Sequence, residues 1–108
     1  IRNAGGLVTE DAVRSLCISH WLLGTREVAV LAHTDCGMLT FSNDDLRSKL
    51  DTEAGADASD VDFHPFSDLQ ESVRRSLVTI RESPYLPDDY ESSGWIYDVR
   101  SGRITEVV

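Results

Sequence analysis

The chain is short of cysteine, of positive charge and of long apolar runs, and each shortage excludes a class of protein. Two cysteines in 108 residues cannot build the dense disulfide framework of a small secreted scaffold. Ten Lys and Arg stand against 19 Asp and Glu, a formal charge of −9. Such a surface repels phosphate, so neither nucleic-acid binding nor docking on a membrane surface is expected. No apolar run approaches the roughly 20 residues of a membrane span. The opening residues, Ile1-Arg2-Asn3-Ala4-Gly5-Gly6, have no apolar core and no basic lead, so no signal peptide is read there. A cytoplasmic location is the expectation. Because the chain begins at Ile1 and not at Met, a processed or truncated product is expected.

What is present is an ordinary globular composition. Hydrophobic residues make up 41%, too many for a disordered acidic tail. The length fits one small domain over residues 1–108. Thr9 reads as the N-cap of a first helix, with Glu10 and Asp11 in the turn where the helix dipole favours acids. Val13, Leu16, Cys17, His20 and Leu23 follow helical spacing, and Ala12, Ile18, Trp21 and Leu22 widen the apolar surface. Gly24 suits the left-handed position after the helix. So broad an apolar surface predicts burial against a sheet on one side and something else on the other.

Val28-Ala29-Val30-Leu31-Ala32 is apolar without alternation, which predicts a strand covered on both faces, as in a parallel sheet. A short helix is expected over 42–50, capped by Ser42. Residues 51–66 hold five acids and no Lys or Arg, and read as a solvated loop. Ser67-Asp68-Leu69-Gln70 has the form of a capping box. It opens a helix with the stripe Leu69, Val73, Leu77 and Ile80, ended by Ser83-Pro84, with Glu71 and Arg75 spaced for an ion pair. Gly94 to Arg100 reads as a strand, Ser101-Gly102 as a tight turn, and Arg103 to Val107 as the returning strand. The predicted class is α/β, a mostly parallel central sheet flanked by helices, with a C-terminal antiparallel edge hairpin.

His33-Thr34-Asp35-Cys36-Gly37 follows the buried strand. The carboxyl end of such a strand is where open α/β sheets place their sites. Imidazole and thiolate are both good zinc ligands, and a three-residue step lets one loop present both. A helix starting near Gly37 would favour the Cys36 thiolate through its positive end, and Gly37 would allow close backbone approach. The same pair is also what a capped strand end with a buried thiol looks like. The other candidates are poorer. Cys17 lies on the apolar stripe and is expected to pack as a small hydrophobe. His20 is expected on the helix surface or at an interface, and His64 in the acidic loop. Gly5-Gly6 lacks the patterns that cradle phosphate.

Several words in order resemble the β-class carbonic anhydrases: Arg2-Asn3-Ala4-Gly5, Arg14-Ser15-Leu16, Leu22 to Glu27, and His33-Thr34-Asp35-Cys36-Gly37-Met38. The closest flavour is the short bacterial branch with the HTDCGM signature. Asp98-Val99 through Glu106-Val107 is similar to the C-terminal hairpin of that branch. The resemblance implies a zinc enzyme that interconverts carbon dioxide and bicarbonate through zinc-activated hydroxide, working as a homodimer or dimer of dimers. It implies His33 and Cys36 as the second and third protein ligands. The first ligand of the family belongs to a Cys-x-Asp-x-Arg motif that precedes Arg-Asn-Ala-Gly and is absent from these 108 residues. The catalytic Asp–Arg pair of that motif is expected upstream of Ile1, together with a central strand. The chain is therefore expected to be a C-terminal portion of such a protein, inactive by itself. Arg2, Asn3 and Gly5 match a loop near the active site and dimer boundary, a match that a glycine-dependent turn explains equally well. Asp35 is expected to accept hydrogen bonds beside the ligands, with Thr34 on the same loop. Trp21, Trp95 and Tyr97 are expected in the core or a dimer interface. Two alternatives remain: a related zinc hydrolase of carbon disulfide or carbonyl sulfide, and a metal-free domain of the same fold.

Overall fold

The computed structural model describes residues 1–108. A 3-10 turn over Ala4–Gly6 leads into helix α1 (Glu10–Leu23), strand β1 (Glu27–His33), a second 3-10 turn over Gly37–Leu39, helices α2 (Asn43–Ala54) and α3 (Leu69–Glu82), and strands β2 (Glu91–Tyr97) and β3 (Ile104–Val107). The sheet order is β1-β2-β3. β1 and β2 run parallel with His33 opposite Tyr97, and β3 returns antiparallel with Val107 opposite Gly94. This is the predicted α/β class with its antiparallel edge hairpin.

The core lies between the sheet and α3. Val73 and Ile80 from the helix meet Val30, Ala32 and Val107 from the strands, with Leu16, Leu86 and Tyr90 closing the cluster. Gly94 marks the closest approach. A Cβ there would stand 2.5 Å from Val73 Cγ1 and 3.0 Å from Leu77 Cδ1. The glycine is therefore a mid-strand packing device, and not the strand start that the sequence pattern predicts. The strand begins three residues earlier, at Glu91.

Five further expectations are corrected. β1 is covered on one face only: Val30 and Ala32 are buried, but Leu31 is 54% exposed. Its apolar run calls for cover on both sides, and these 108 residues supply it on one. The helix predicted over 42–50 extends to Ala54, because Gly55 supplies the left-handed end at φ 61°. The acidic loop is correspondingly shorter and is fastened. Arg47 donates twice to the Val61 carbonyl, Asn43 donates to Asp62, and Ala58 is buried. The α3 cap is Asp68, which accepts from the Glu71 amide, in place of Ser67. The hairpin turn spans 98–103, longer than the expected Ser101-Gly102. The Asp98 carboxylate accepts from the Arg100 and Ser101 amides, and Asp98 and Arg103 close the turn through their backbones.

Other expectations hold. Ser42 and Asp45 form a reciprocal capping box, Gly24 ends α1 at φ 79°, and Glu71 lies 3.4 Å from Arg75. Thr9 occupies the N-cap position of α1, but its side chain makes no capping bond. No helix is long and apolar enough to cross a membrane.

Candidate metal centre at the end of the first strand

β1 carries His33 to its carboxyl end, and the chain then turns sharply. Asp35 takes a left-handed conformation at φ 54°, uncommon for a residue with a Cβ but tolerated by Asp. Cys36 follows, 5% exposed, just before the Gly37–Leu39 turn. That turn is a single three-residue 3-10 turn, so the aligned peptide dipoles of a long helix are not assembled behind Cys36. The expected help from a helix end is absent, and the setting of the thiol is its burial.

The His33 ring is oriented. Its Nδ1 lies 2.7 Å from the Thr34 carbonyl oxygen. A carbonyl only accepts, so Nδ1 donates, and in the neutral ring this leaves the Nε2 lone pair for a metal. Metal-ligating histidines commonly have the other ring nitrogen fixed in this way. An imidazole with Nε2 open and a thiol three residues on fit zinc in donor type. They are two donors only: nowhere in the chain do three His, Cys, Asp or Glu side chains group to hold a metal ion.

The segments around the loop are tightly seated. Gly6, at φ 61°, lies against β1 so closely that a Cβ would stand 2.7 Å from the Leu31 carbonyl oxygen. Gly5, at φ 86°, sits beneath Phe66 and Met38, where a Cβ would be 2.9 and 3.2 Å away. Both positions need glycine for conformation and for space. Asn3 closes this turn by donating to the Leu7 carbonyl and accepting from the Leu7 amide. Arg2 is exposed. The Phe66 amide donates to the Met38 carbonyl at 3.3 Å, tying the far end of the acidic loop to the segment after Cys36. Gly37 has open space where a Cβ would go.

Asp35 accepts from Arg100 Nε at 3.3 Å across an exposed pair. Arg100 was not singled out in the sequence, because the contact joins residues 65 apart in the chain. Thr34 reaches the same turn, accepting from the Val99 amide.

The remaining candidates lie elsewhere. His20 Nδ1 lies 2.6 Å from the Thr25 carbonyl oxygen, and the ring stands edge-on to Trp21 and Tyr90. Burial pushes the Tyr90 phenol pKa up. Cys17 is half-buried beside Val13 and Ile18, at a surface groove between α1 and the end of α3. His64 lies 3.4 Å from Asp62, and both line a polar cleft of about 580 Å³ between the acidic loop and α3. Trp21 is 61% exposed, so it is not a core residue. Its indole donates to the Tyr85 carbonyl. Trp95 is half-buried and donates to Ser93, and Tyr97 is partly exposed.

No protein-family model matches the chain. Known proteins do. It is 44% identical over 109 residues to β-carbonic anhydrase 1 of Mycobacterium tuberculosis, covering 99% of this chain and 65% of that protein. It is 30% identical over 121 residues to a carbon disulfide hydrolase of Acidithiobacillus thiooxidans, covering 95% of this chain and 60% of that one. Among solved structures, the carbonic anhydrase of Streptococcus mutans superposes with a TM-score of 0.97 at 50% identity, over all of this chain and 65% of that one. The carbonic anhydrase from Glaciozyma antarctica gives 0.88 at 37% identity, over 66% of its chain. The chain thus spans about two thirds or slightly less of the proteins it matches. Sequence and fold together make it similar to the β-carbonic anhydrases over slightly less than two thirds of their length.

Proposed function

We propose that the chain is part of a zinc enzyme that reversibly hydrates carbon dioxide to bicarbonate. The observation that carries this reading is the His33–Cys36 loop, with Nδ1 engaged, Nε2 open and a buried thiol three residues away. Likeness to carbonic anhydrases at 44% and 50% identity supports the substrate. His33 Nε2 and Cys36 Sγ would be two of the protein ligands. Zinc in such a site supplies Lewis acidity that brings the pKa of a bound water to about 7. The chain's own residues orient the imidazole, keep the thiol away from bulk water, and hold the turn between them.

A catalytic zinc usually takes three protein ligands. With two donors, these 108 residues by themselves are proposed to bind zinc weakly and not to turn over. Arg2, Asn3, Gly5, Asp35 and Gly37 are proposed to shape the active-site loops. The assembly is proposed to be a homodimer or a dimer of dimers, acting in the cytoplasm. The deciding experiment is elemental analysis and stopped-flow carbon dioxide hydration on the full-length protein. One zinc per chain with rapid hydration is expected. Absence of stoichiometric zinc would overturn the reading in favour of a metal-free domain.

A second reading, hydrolysis of carbon disulfide or carbonyl sulfide, is favoured by the 30% identity to carbon disulfide hydrolase. Hydrogen sulfide release from carbon disulfide, without carbon dioxide hydration, would select it.

A further inference from the structure

Thr34 makes three hydrogen bonds with three different polar groups, and all bear on the candidate loop. Its amide donates to the Tyr97 carbonyl at 2.9 Å, carrying the β1–β2 ladder one step past His33. Its hydroxyl accepts from the Val99 amide at 3.0 Å. Its carbonyl accepts from His33 Nδ1 at 2.7 Å. Thr34 therefore joins the β2–β3 turn on one side to the His33 ring on the other.

The next residue shows why such a clamp is needed. Asp35 is held at φ 54°, a left-handed conformation that a Cβ disfavours and Asp tolerates. Its one side-chain partner is Arg100, and that pair is exposed on both sides, where ion pairs contribute little. Thr34 holds the chain at three points, with shorter bonds of 2.7 to 3.0 Å. The turn gains in return, because the Val99 amide finds its acceptor in the Thr34 hydroxyl.

We propose that Thr34 is a positioning residue, a clamp by which the β2–β3 turn sets the tautomer and direction of His33 and the path of the chain to Cys36. The proposal rests on the zinc reading for what the loop holds, but not for the clamp itself. Without the clamp the Thr34 peptide is free to tilt, and its carbonyl no longer selects the Nδ1–H form over the Nε2–H form.

The test uses the full-length protein with Thr34→Val, nearly isosteric but lacking the acceptor, and Thr34→Ser, which restores it. Thr34→Ala serves if the valine variant does not fold. Three readouts are taken at one pH at which the ring is neutral: ¹⁵N shifts of His33 in metal-stripped protein, exchange of the Val99 amide, and zinc release to a chelator. In Thr34→Val the Val99 amide is expected to exchange about 10-fold faster, for one lost hydrogen bond. The Nδ1–H population should fall, and zinc should leave about 10-fold faster, the low end for loss of a bond that orients a ligand. Thr34→Ser should stay near wild type in all three. A valine variant with wild-type His33 tautomer and wild-type zinc release would overturn the proposal. If wild-type protein holds no zinc the zinc reading fails, and the His33 shifts still decide the clamp.

Discussion

α1 and α3 are each 14 residues long and each carries ample apolar surface, yet they are used differently. α3 presents one stripe. It packs on all three strands and buries Val73 and Ile80 almost completely. α1 buries Ala12 and Leu16 and leaves Ile18, Trp21, Leu22 and Leu23 exposed, the last two at 76%. The contrast extends to the sheet, where Val30 and Ala32 face the core and Leu31 faces out. A single stripe finds one partner and is satisfied by it. A helix with a broad apolar surface on two sides needs two, and here it meets one.

That contrast can be broken by mutation. The largest effect is expected at the end of β1. Cys36→Ser in the full-length protein should weaken zinc binding by roughly 100-fold or more, because a soft thiolate ligand becomes a neutral hydroxyl. Unchanged metal by elemental analysis would remove Cys36 from the ligand set. On the α3 side, Ile80→Ala should cost about 2–4 kcal/mol in urea unfolding, against about 0.5 kcal/mol for Ile18→Ala on α1. Equal losses would mean that α1 is buried in solution. Gly94→Ala should cost about 1–3 kcal/mol, because the new methyl meets Val73 and Leu77. Cys17→Ala should leave zinc content intact and cost about 1 kcal/mol of packing. A loss of metal there would bring α1 into the site.

The smallest effect is electrostatic and lies in the acidic loop. The Asn43 side chain and the His64 amide donate to Asp62, holding its carboxyl below the ordinary value of 3.8. A lowered folded-state pKa gives stability that is present above the unfolded value and lost as pH falls through the folded one. Asp62→Asn should therefore be slightly less stable than wild type at neutral pH, with the gap closing below about pH 4. A gap that persisted into acid would show that shape matters there and charge does not.

Much of this was legible along the chain. The α3 stripe, the Ser42 cap, the Gly24 end of α1 and the His33–Cys36 step are local patterns. Helical spacing, capping chemistry and ligand spacing act over a few residues, so the sequence displays them directly. Three things were not legible. Gly94 looked like a boundary because glycine usually punctuates, and only the approach of α3 shows its use. Ser72 and Ser76 are buried on α3: Ser76 accepts from the Val8 amide, 68 positions away. Leu86 and Tyr90 enter the core from a loop without periodicity. At the candidate site, the two donors were visible but their support was not. Thr34 and Asp35 depend on Val99 and Arg100, which no spacing rule connects to them.

The class, the helices, the pair of donors and the family resemblance could be read along the chain, because each rests on short-range patterns of residue type. The tertiary structure alone decided which face of β1 is covered, why Gly94 is a glycine, and how His33 is held. Those depend on contacts between segments tens of residues apart. Their free energy appears only when chain entropy has been spent to bring them together.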